Sequence, residues 1–331
     1  MGMEPRDLLR VEGLKTWFYS RHGVAKAVDG IDFSIGEGEH LGLVGESGSG
    51  KSVTALSILR LVRDPPGRIV DGRIHFEGQD LLSLTDEQMR RIRGRRISMV
   101  FQDPASHLDP VMKVGDWIAE AIALHKGTNR KEAIAEAVRL LQVLKVPSPR
   151  DVLHAYPFQL SGGMCQRILI ATAIATEPVL IIADEATSAL DVTVQASILR
   201  TLGELTETVG TAVLLTTHNM RVVQKACSRV MVMYAGRVVE SCRTDHLFER
   251  PMHPYTVGLL NAVPSLDRIG RPLIPMLGEP PLPTATPPGC AFYARCPIRR
   301  PVCQESRPPL LEVAPGRFSA CRFAEEASGG R

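Results

Sequence analysis

Residues 45–52 read Gly-Glu-Ser-Gly-Ser-Gly-Lys-Ser and follow the short apolar stretch 41–44. Glycines at the first, fourth and sixth positions of this octapeptide permit the backbone angles at which N–H groups converge on phosphate oxygens. Lys51 is predicted to reach the β- and γ-phosphates, and the Ser52 hydroxyl to hold Mg²⁺. The sequence therefore predicts a nucleotide phosphate loop made of Gly45, Glu46, Ser47, Gly48, Ser49, Gly50, Lys51 and Ser52.

Three further motifs stand at the ends of apolar stretches. Asp184 and Glu185 follow the stretch 179–183, where the first carboxylate can bind Mg²⁺ and the second can accept a proton from attacking water. Gln102 follows 97–101, and its amide is predicted to sense Mg²⁺ and that water. His218 follows 212–217, where an imidazole can contact the γ-phosphate, although an isolated histidine is more often structural.

The apolar patterns predict an α/β chain. Two β-prone segments within 8–35 and a third at 73–76 predict antiparallel strands beside the nucleotide site. Helical spacing dominates about 105–178. The continuous apolar stretches 179–183 and 212–216, separated by a helix at 192–208, predict a parallel sheet covered on both faces.

Amino-acid composition distinguishes two further segments toward the C-terminus. Eight prolines between 264 and 288 predict an extended strap, and 289–331 carry four of the seven cysteines. The predicted domains are therefore 1–250, which binds nucleotide, a linker at 251–288, and a cysteine extension at 289–331.

Charge and hydropathy narrow the class of protein. The formal net charge of +3 over 331 residues is too small to indicate a nucleic-acid partner. The arginines between 90 and 96 are interpreted as a solvated helix face. No apolar run approaches the roughly 20 residues of a membrane span, and the N-terminus lacks the layout of a secretion signal, so the chain is expected in the cytosol.

In this order the motifs resemble those of the ATP-binding subunit of an ATP-binding cassette (ABC) transporter. The resemblance covers about residues 8–250 and includes the signature Leu160-Ser161-Gly162-Gly163 and the segment Ser188-Ala189-Leu190-Asp191. It implies the P-loop NTPase fold of ABC ATPases, with an antiparallel β subdomain and a helical subdomain.

The resemblance also implies a dimer that sandwiches two ATP molecules. Each ATP then contacts the phosphate loop of one protomer and the signature of the other, so Ser161, Gly162, Gly163 and Asp191 are expected to contact ATP held by a partner. The family stacks an aromatic ring on adenine. Phe18 is predicted for this role by its spacing, with Tyr19 as the alternative.

Four cysteines near the C-terminus have the spacing C-x₅-C-x₆-C-x₁₇-C: Cys290, Cys296, Cys303 and Cys321. In a cytosolic chain such thiols favour a metal site over disulfides. The wide gaps differ from the paired knuckles of structural zinc sites, so a [4Fe–4S] cluster fits better, with Zn²⁺ as the alternative. Cys165, Cys227 and Cys242 are predicted to be ordinary buried thiols.

The stretch Pro251-Met252-His253-Pro254-Tyr255-Thr256, with Gly289-Cys290 and Arg295-Cys296-Pro297, resembles the C-terminal extension of oligopeptide, dipeptide and nickel importer ATPases. Members of that subfamily carry an iron–sulfur cluster on these cysteines. Segments 182–185 and 191–196 are more similar to the D-type than to the F-type subunit of the pair.

This likeness implies a peripheral subunit on the cytoplasmic face of the membrane. The implied partners are a second, non-identical ATPase, two permease subunits and an extracytoplasmic solute-binding protein. Dipeptides or oligopeptides are the expected solutes, while nickel, glutathione or another small solute stays open.

Two other hypotheses assign the chain a function outside a transporter. One is a soluble ABC ATPase acting on DNA or ribosomes, for which the long heptad coiled coil or second ATPase domain is not seen in the sequence. The other is an accessory ATPase of a metabolic complex such as carbon–phosphorus lyase.

Overall fold

A computed structural model describes residues 7–186, 195, 203–204, 206, 210–262 and 276–327. Contacts divide the chain into two compact units. The first contains 36–39 and 83–215, and the second contains 7–35, 40–82 and 216–331.

The described strands are β1 (Asp7–Ser20), β2 (Gly23–Gly36), β3 (His40–Val44), β4 (Gly67–Phe76), β5 (Gln79–Asp80), β6 (Ile97–Val100), β7 (Leu180–Asp184), β8 (Ala212–Thr217), β9 (Arg229–Tyr234), β10 (Arg237–Arg243), β11 (Leu311–Ala314) and β12 (Arg317–Ser319). The described α-helices are Lys51–Ile58, Asp86–Ile92, Pro104–His107, Val114–Lys126, Arg130–Val143, Pro149–Val152, Gly162–Ile174, Met220–Ala226, Thr244–Glu249, Pro254–Asn261, Val302–Glu305 and Ala324–Ala327.

The first unit places helices beside parallel strands. β8, β7 and β6 are neighbours in that order, and Ile97 of β6 lies opposite Leu180 of β7 in a parallel pair. Every residue of β7 is buried, as expected for a parallel strand covered on both faces. The helices Val114–Lys126, Arg130–Val143 and Gly162–Ile174 pack on one another, which confirms the predicted helical character of this segment. Most of the predicted helix at 192–208 lies outside the described residues.

The second unit contains the predicted antiparallel strands, in the order β2-β1-β4-β5. Leu9 of β1 lies opposite Phe76 of β4, and Phe18 lies opposite Gly67. β4 begins at Gly67, six residues before the predicted start at 73. Leu9, Val11 and Leu14 of β1 are buried, and the register shift between Glu12 and Lys15 interrupts the two-residue alternation.

A second sheet in this unit has the order β11-β12-β10-β9-β3. β3 runs parallel to β9, whereas β12 pairs antiparallel with β10, with Glu240 opposite Ser319. β11 and β12 come from the cysteine extension, for which no strand is predicted from the sequence. Both strands are short, and β11 has no fully buried residue, so no alternation marks them in the sequence.

Candidate nucleotide-binding site

Close packing requires glycine at both ends of the predicted phosphate loop. A side chain at Gly45 would place its Cβ atom 2.2 Å from the Met233 carbonyl oxygen, and one at Gly50 would place it 2.3 Å from the Ala27 carbonyl oxygen. Gly50 also has a φ of +110°, in the region that favours glycine. Backbone carbonyls of β9 and β2 thus lie so close to the loop that a side chain at either position would clash.

Lys51 begins the helix Lys51–Ile58 and is buried against the loop. Its Nζ atom donates to the carbonyl oxygens of Gly45 at 2.9 Å and Glu46 at 3.0 Å. The ammonium group therefore lies among the backbone groups of the same loop, beside the helix N-terminus that favours anions. This arrangement suits a nucleotide phosphate, and binding by these residues stays a prediction.

The first unit brings together Gln102, Asp184 and Glu185 because their strands β6 and β7 run parallel and end at the same edge. The Gln102 Nε2 atom donates to the Glu185 Oε2 atom at 3.2 Å. Asp184 is buried at the end of β7. The predicted Mg²⁺ ligand, base and sensing amide are thus adjacent within this unit.

Glu185 has a left-handed backbone, with a φ of +45°. A non-glycine residue in this region costs roughly 1 kcal/mol or more, and such strain concentrates at functional sites. The sequence gives no signal for this conformation, because glutamate has no preference for it. Glu177 has the same left-handed conformation, with a φ of +52°, so the role of Glu185 as the base rests on its place beside Asp184 and Gln102 and stays a prediction.

The signature segment forms an exposed helix start. Ser161 caps the helix Gly162–Ile174, and its Oγ atom accepts a hydrogen bond from the Met164 N–H group at 3.3 Å. Ser161 and Gly162 are exposed, and no atom lies within 4 Å of a Cβ atom built on Gly162. Contact with ATP held by a partner stays a prediction.

His218 is exposed directly after β8, at the strand end where the sequence predicted it. The next residue, Asn219, caps the helix Met220–Ala226. Phe18 is half-buried near Gly67, and Tyr19 is exposed, so stacking on adenine stays a prediction for both. Asp191 and the rest of 188–191 lie outside the described residues.

Four cysteines of the extension line one small cavity: Cys290, Cys296, Cys303 and Cys321. Burial, with a smaller contribution from neighbouring thiols, raises the pKa of Cys290 and Cys296, and raises that of Cys321 to about 11. Within the described parts of the chain, no group of three or more His, Cys, Asp or Glu residues is arranged to hold a metal ion. The other three cysteines are buried, which confirms that prediction.

Contacts to Glu46 were missed at the sequence level. Arg295 and Tyr255, which lie more than 200 residues away along the chain, hold the side chain and the backbone N–H group of this loop residue. A single sequence carries no signal for a pairing at that separation.

Two protein-family profiles match the chain. The profile described as "ABC transporter" matches residues 28–188, and "Oligopeptide/dipeptide transporter, C-terminal region" matches residues 239–303. A solved structure titled "Dimeric structure of a post-hydrolysis state of the ATP-binding cassette MJ0796 bound to ADP and Pi" superposes with a TM-score of 0.65 at 25% identity, covering 71% of this chain and 98% of that one. Together these matches define an ATPase of the ATP-binding cassette class.

Curated relatives cover nearly the whole chain. The oligopeptide transport ATP-binding protein AppD of Bacillus subtilis is 46% identical, over 96% of this chain and 97% of its own length. OppD of Escherichia coli, described in the same words, is 45% identical over 95% of this chain and 92% of its own length. The chain belongs to the family of ATP-binding subunits of oligopeptide and dipeptide ABC transporters. The D-type names of these relatives confirm the subunit type predicted from 182–185 and 191–196.

No described helix combines the length and the apolar character needed to cross a membrane.

Proposed function

We propose that this ATPase drives the uptake of oligopeptides or dipeptides through membrane permease subunits. The observation that carries the proposal is the match of residues 239–303 to the profile of the oligopeptide/dipeptide transporter C-terminal region. Relatives named for oligopeptide transport, which match this chain over nearly their full length, support it. These names do not favour nickel, glutathione or a metabolic complex. The proposed partners are two permeases, a solute-binding protein and a second, non-identical ATPase, with the chain lying peripherally on the cytoplasmic face of the membrane.

The experiment is reconstitution with the permeases and binding protein from neighbouring genes in liposomes. ATP-dependent uptake of a labelled peptide, absent without ATP, is the expected result. Uptake of nickel ions with no uptake of any peptide tested would overturn the peptide assignment and leave the ATPase assignment intact.

The proposed roles follow the chemistry of each site residue. Lys51 and the amides of 45–50 bind the phosphates, while Ser52, Gln102 and Asp184 hold Mg²⁺. Glu185 accepts a proton from the attacking water, which Gln102 and His218 orient. We assign these roles to a nucleotide-binding domain at 1–250, followed by a linker at 251–288 that begins with the helix Pro254–Asn261 and by an extension at 289–331.

Across the dimer, we propose that Ser161, Gly162, Gly163 and Asp191 contact the partner's ATP. The exposed hydroxyl and helix start at Ser161 support this role, because such a helix N-terminus attracts a γ-phosphate.

Ser161→Arg should therefore block closure of the ATP sandwich while sparing nucleotide binding to the isolated chain. The added side chain occupies the helix start that the partner's phosphate would approach. ATP-induced dimerisation by light scattering, beside nucleotide titration of the isolated subunit, measures the two effects. Equal loss of affinity in the isolated subunit would contradict a role across the dimer.

The four cysteines that line one cavity are proposed to hold a [4Fe–4S] cluster, with Zn²⁺ as the alternative. Four thiols around one cavity support this, but raised thiol pKa values mean that binding must displace protons. In the described residues the four thiols are not arranged to hold a metal ion, so their sulfur atoms must move toward one another when a cluster binds. β11 and β12 already attach the extension to β10, so the cluster is proposed to rigidify this segment.

Replacing any one of the four by serine should bleach the protein. Anaerobically purified wild type should be brown with about four irons per chain, whereas Cys227→Ser, which removes a buried thiol elsewhere, should keep the iron. One zinc and no iron would leave a Cys₄ zinc site. Absence of both metals after anaerobic purification would reject the metal site.

A further inference from the structure

The second residue of the phosphate loop is bound by an arginine of the cysteine extension. The Arg295 guanidinium donates two parallel hydrogen bonds to the Glu46 carboxylate, Nη1 to Oε2 and Nη2 to Oε1, each at 2.8 Å. The Arg295 side chain is only 4% exposed and that of Glu46 28% exposed. A bidentate, largely buried pair of this kind fixes geometry far better than a surface ion pair.

A buried tyrosine holds the backbone of the same residue. The Glu46 N–H group donates to the Tyr255 hydroxyl oxygen at 2.8 Å. Tyr255 is fully buried and stands in the first turn of the helix Pro254–Asn261. Burial lowers the pKa of His253 to about 3, so its neutral ring accepts the Tyr255 N–H hydrogen bond at 3.1 Å and fixes this helix start.

The remaining group of Glu46 faces the loop itself. Its carbonyl oxygen accepts hydrogen bonds from the Lys51 ammonium at 3.0 Å and from the Ser49 N–H group at 3.2 Å. One residue thus connects the C-terminal residues to the lysine that is assigned to the phosphates. A displacement of Glu46 would move the carbonyl against which Lys51 is placed.

Arg295 is itself tightly fixed. Its Nε atom donates to the Leu277 carbonyl oxygen at 3.2 Å, and its guanidinium lies 5.8 Å from the ring centres of both Tyr234 and Phe292. It ends the 3₁₀ helix Tyr293–Arg295, immediately before Cys296. The cation is therefore held by contacts from the linker, from β9 and from the extension itself.

We propose that Arg295 is a positioning residue for nucleotide binding, which acts by holding Glu46 together with Tyr255. The proposal rests on the assignment of 45–52 to the nucleotide phosphates. Two physical effects combine. The pair restrains the loop before nucleotide arrives, and the guanidinium neutralises a carboxylate that would otherwise repel phosphate from within the loop.

The test is nucleotide titration of the full chain carrying Arg295→Met. We expect roughly tenfold weaker ATP binding, the size of effect typical for loss of a hydrogen-bonded charged partner. Arg295→Lys should restore part of the affinity because it restores the charge but not the two parallel hydrogen bonds. The matched control is Arg300→Met, which removes an arginine of the same segment whose partner, Glu326, is half exposed; its affinity should equal wild type.

A double-mutant cycle separates positioning from general destabilisation. Glu46→Gln removes the charge that would repel phosphate. The double variant Glu46→Gln/Arg295→Met should therefore bind ATP more tightly than Arg295→Met alone, so the effects of the two single substitutions on ATP affinity should not be additive. Tyr255→Phe removes only the hydroxyl and should also weaken ATP binding. In the assembled transporter, Arg295→Met should raise the KM for ATP with little change in kcat.

Wild-type affinity in both Arg295→Met and Tyr255→Phe would overturn the proposal, as would additive effects in the cycle. Thermal melting of each variant checks that the fold persists, and Tyr255→Phe keeps the test decisive if Arg295→Met unfolds. Lys51→Ala distinguishes failure of the phosphate-loop assignment from failure of the proposed positioning role of Arg295. Normal binding in Lys51→Ala rejects the loop assignment, whereas loss there with none in the other two variants rejects positioning alone.

Discussion

Replacing Glu185 with glutamine is expected to abolish ATP turnover while leaving ATP binding nearly intact. The amide keeps the shape of the side chain and its proximity to Gln102, but it cannot accept a proton from water. Loss of a general base typically lowers the rate by about a hundred- to ten-thousandfold. Steady-state ATPase activity of the assembled complex measures the effect, and dimers with trapped ATP should accumulate.

The chain offers a matched control for this prediction. Glu177 is a glutamate of the same unit with the same left-handed backbone, at a φ of +52°, and it pairs with Lys126 at 2.7 Å. Glu177→Gln should retain turnover, so an effect confined to Glu185→Gln separates base chemistry from backbone strain. Wild-type turnover in Glu185→Gln would remove this residue from the role of base.

The sequence predicted the elements whose pattern is local. The predicted strands at 97–101 and 179–183 correspond to the parallel strands β6 and β7, because strands covered on both faces carry no polar alternation. The phosphate loop was predictable because its glycine spacing reflects a backbone requirement that packing at Gly45 and Gly50 bears out.

Other features depend on contacts between distant segments. β12 pairs with β10 across more than 70 residues, and three residues of mixed burial give it no periodic signal. The Arg295–Glu46 pair joins residues 249 positions apart. Arginine and glutamate are common at surfaces, so nothing in their local sequence distinguishes a buried bidentate pair from solvated side chains.

In the candidate site, too, one feature could be predicted from local sequence and another could not. Topology brought Gln102 beside Glu185, since parallel neighbouring strands end at one edge, and this followed from predicted strand ends. The positive φ of Glu185 did not follow, because the surrounding fold rather than the residue's own preference imposes it.

Lys51→Ala should weaken nucleotide binding itself, and transport with it. The substitution removes the only cationic side chain of the octapeptide 45–52, whose other residues are uncharged apart from Glu46. A charged hydrogen bond of about 3 kcal/mol corresponds to roughly a hundredfold loss of affinity. Titration of the isolated chain with ATP measures it directly.

Lys15→Ala is the control, because that lysine belongs to the same unit but pairs with the exposed Asp71 at 2.8 Å. It should bind ATP as wild type does. Since the Lys51 ammonium is held by the carbonyls of Gly45 and Glu46, its removal also loosens the loop, so the loss of affinity should exceed that of Arg295→Met. Unchanged affinity in Lys51→Ala would show that nucleotide phosphates bind elsewhere on the chain.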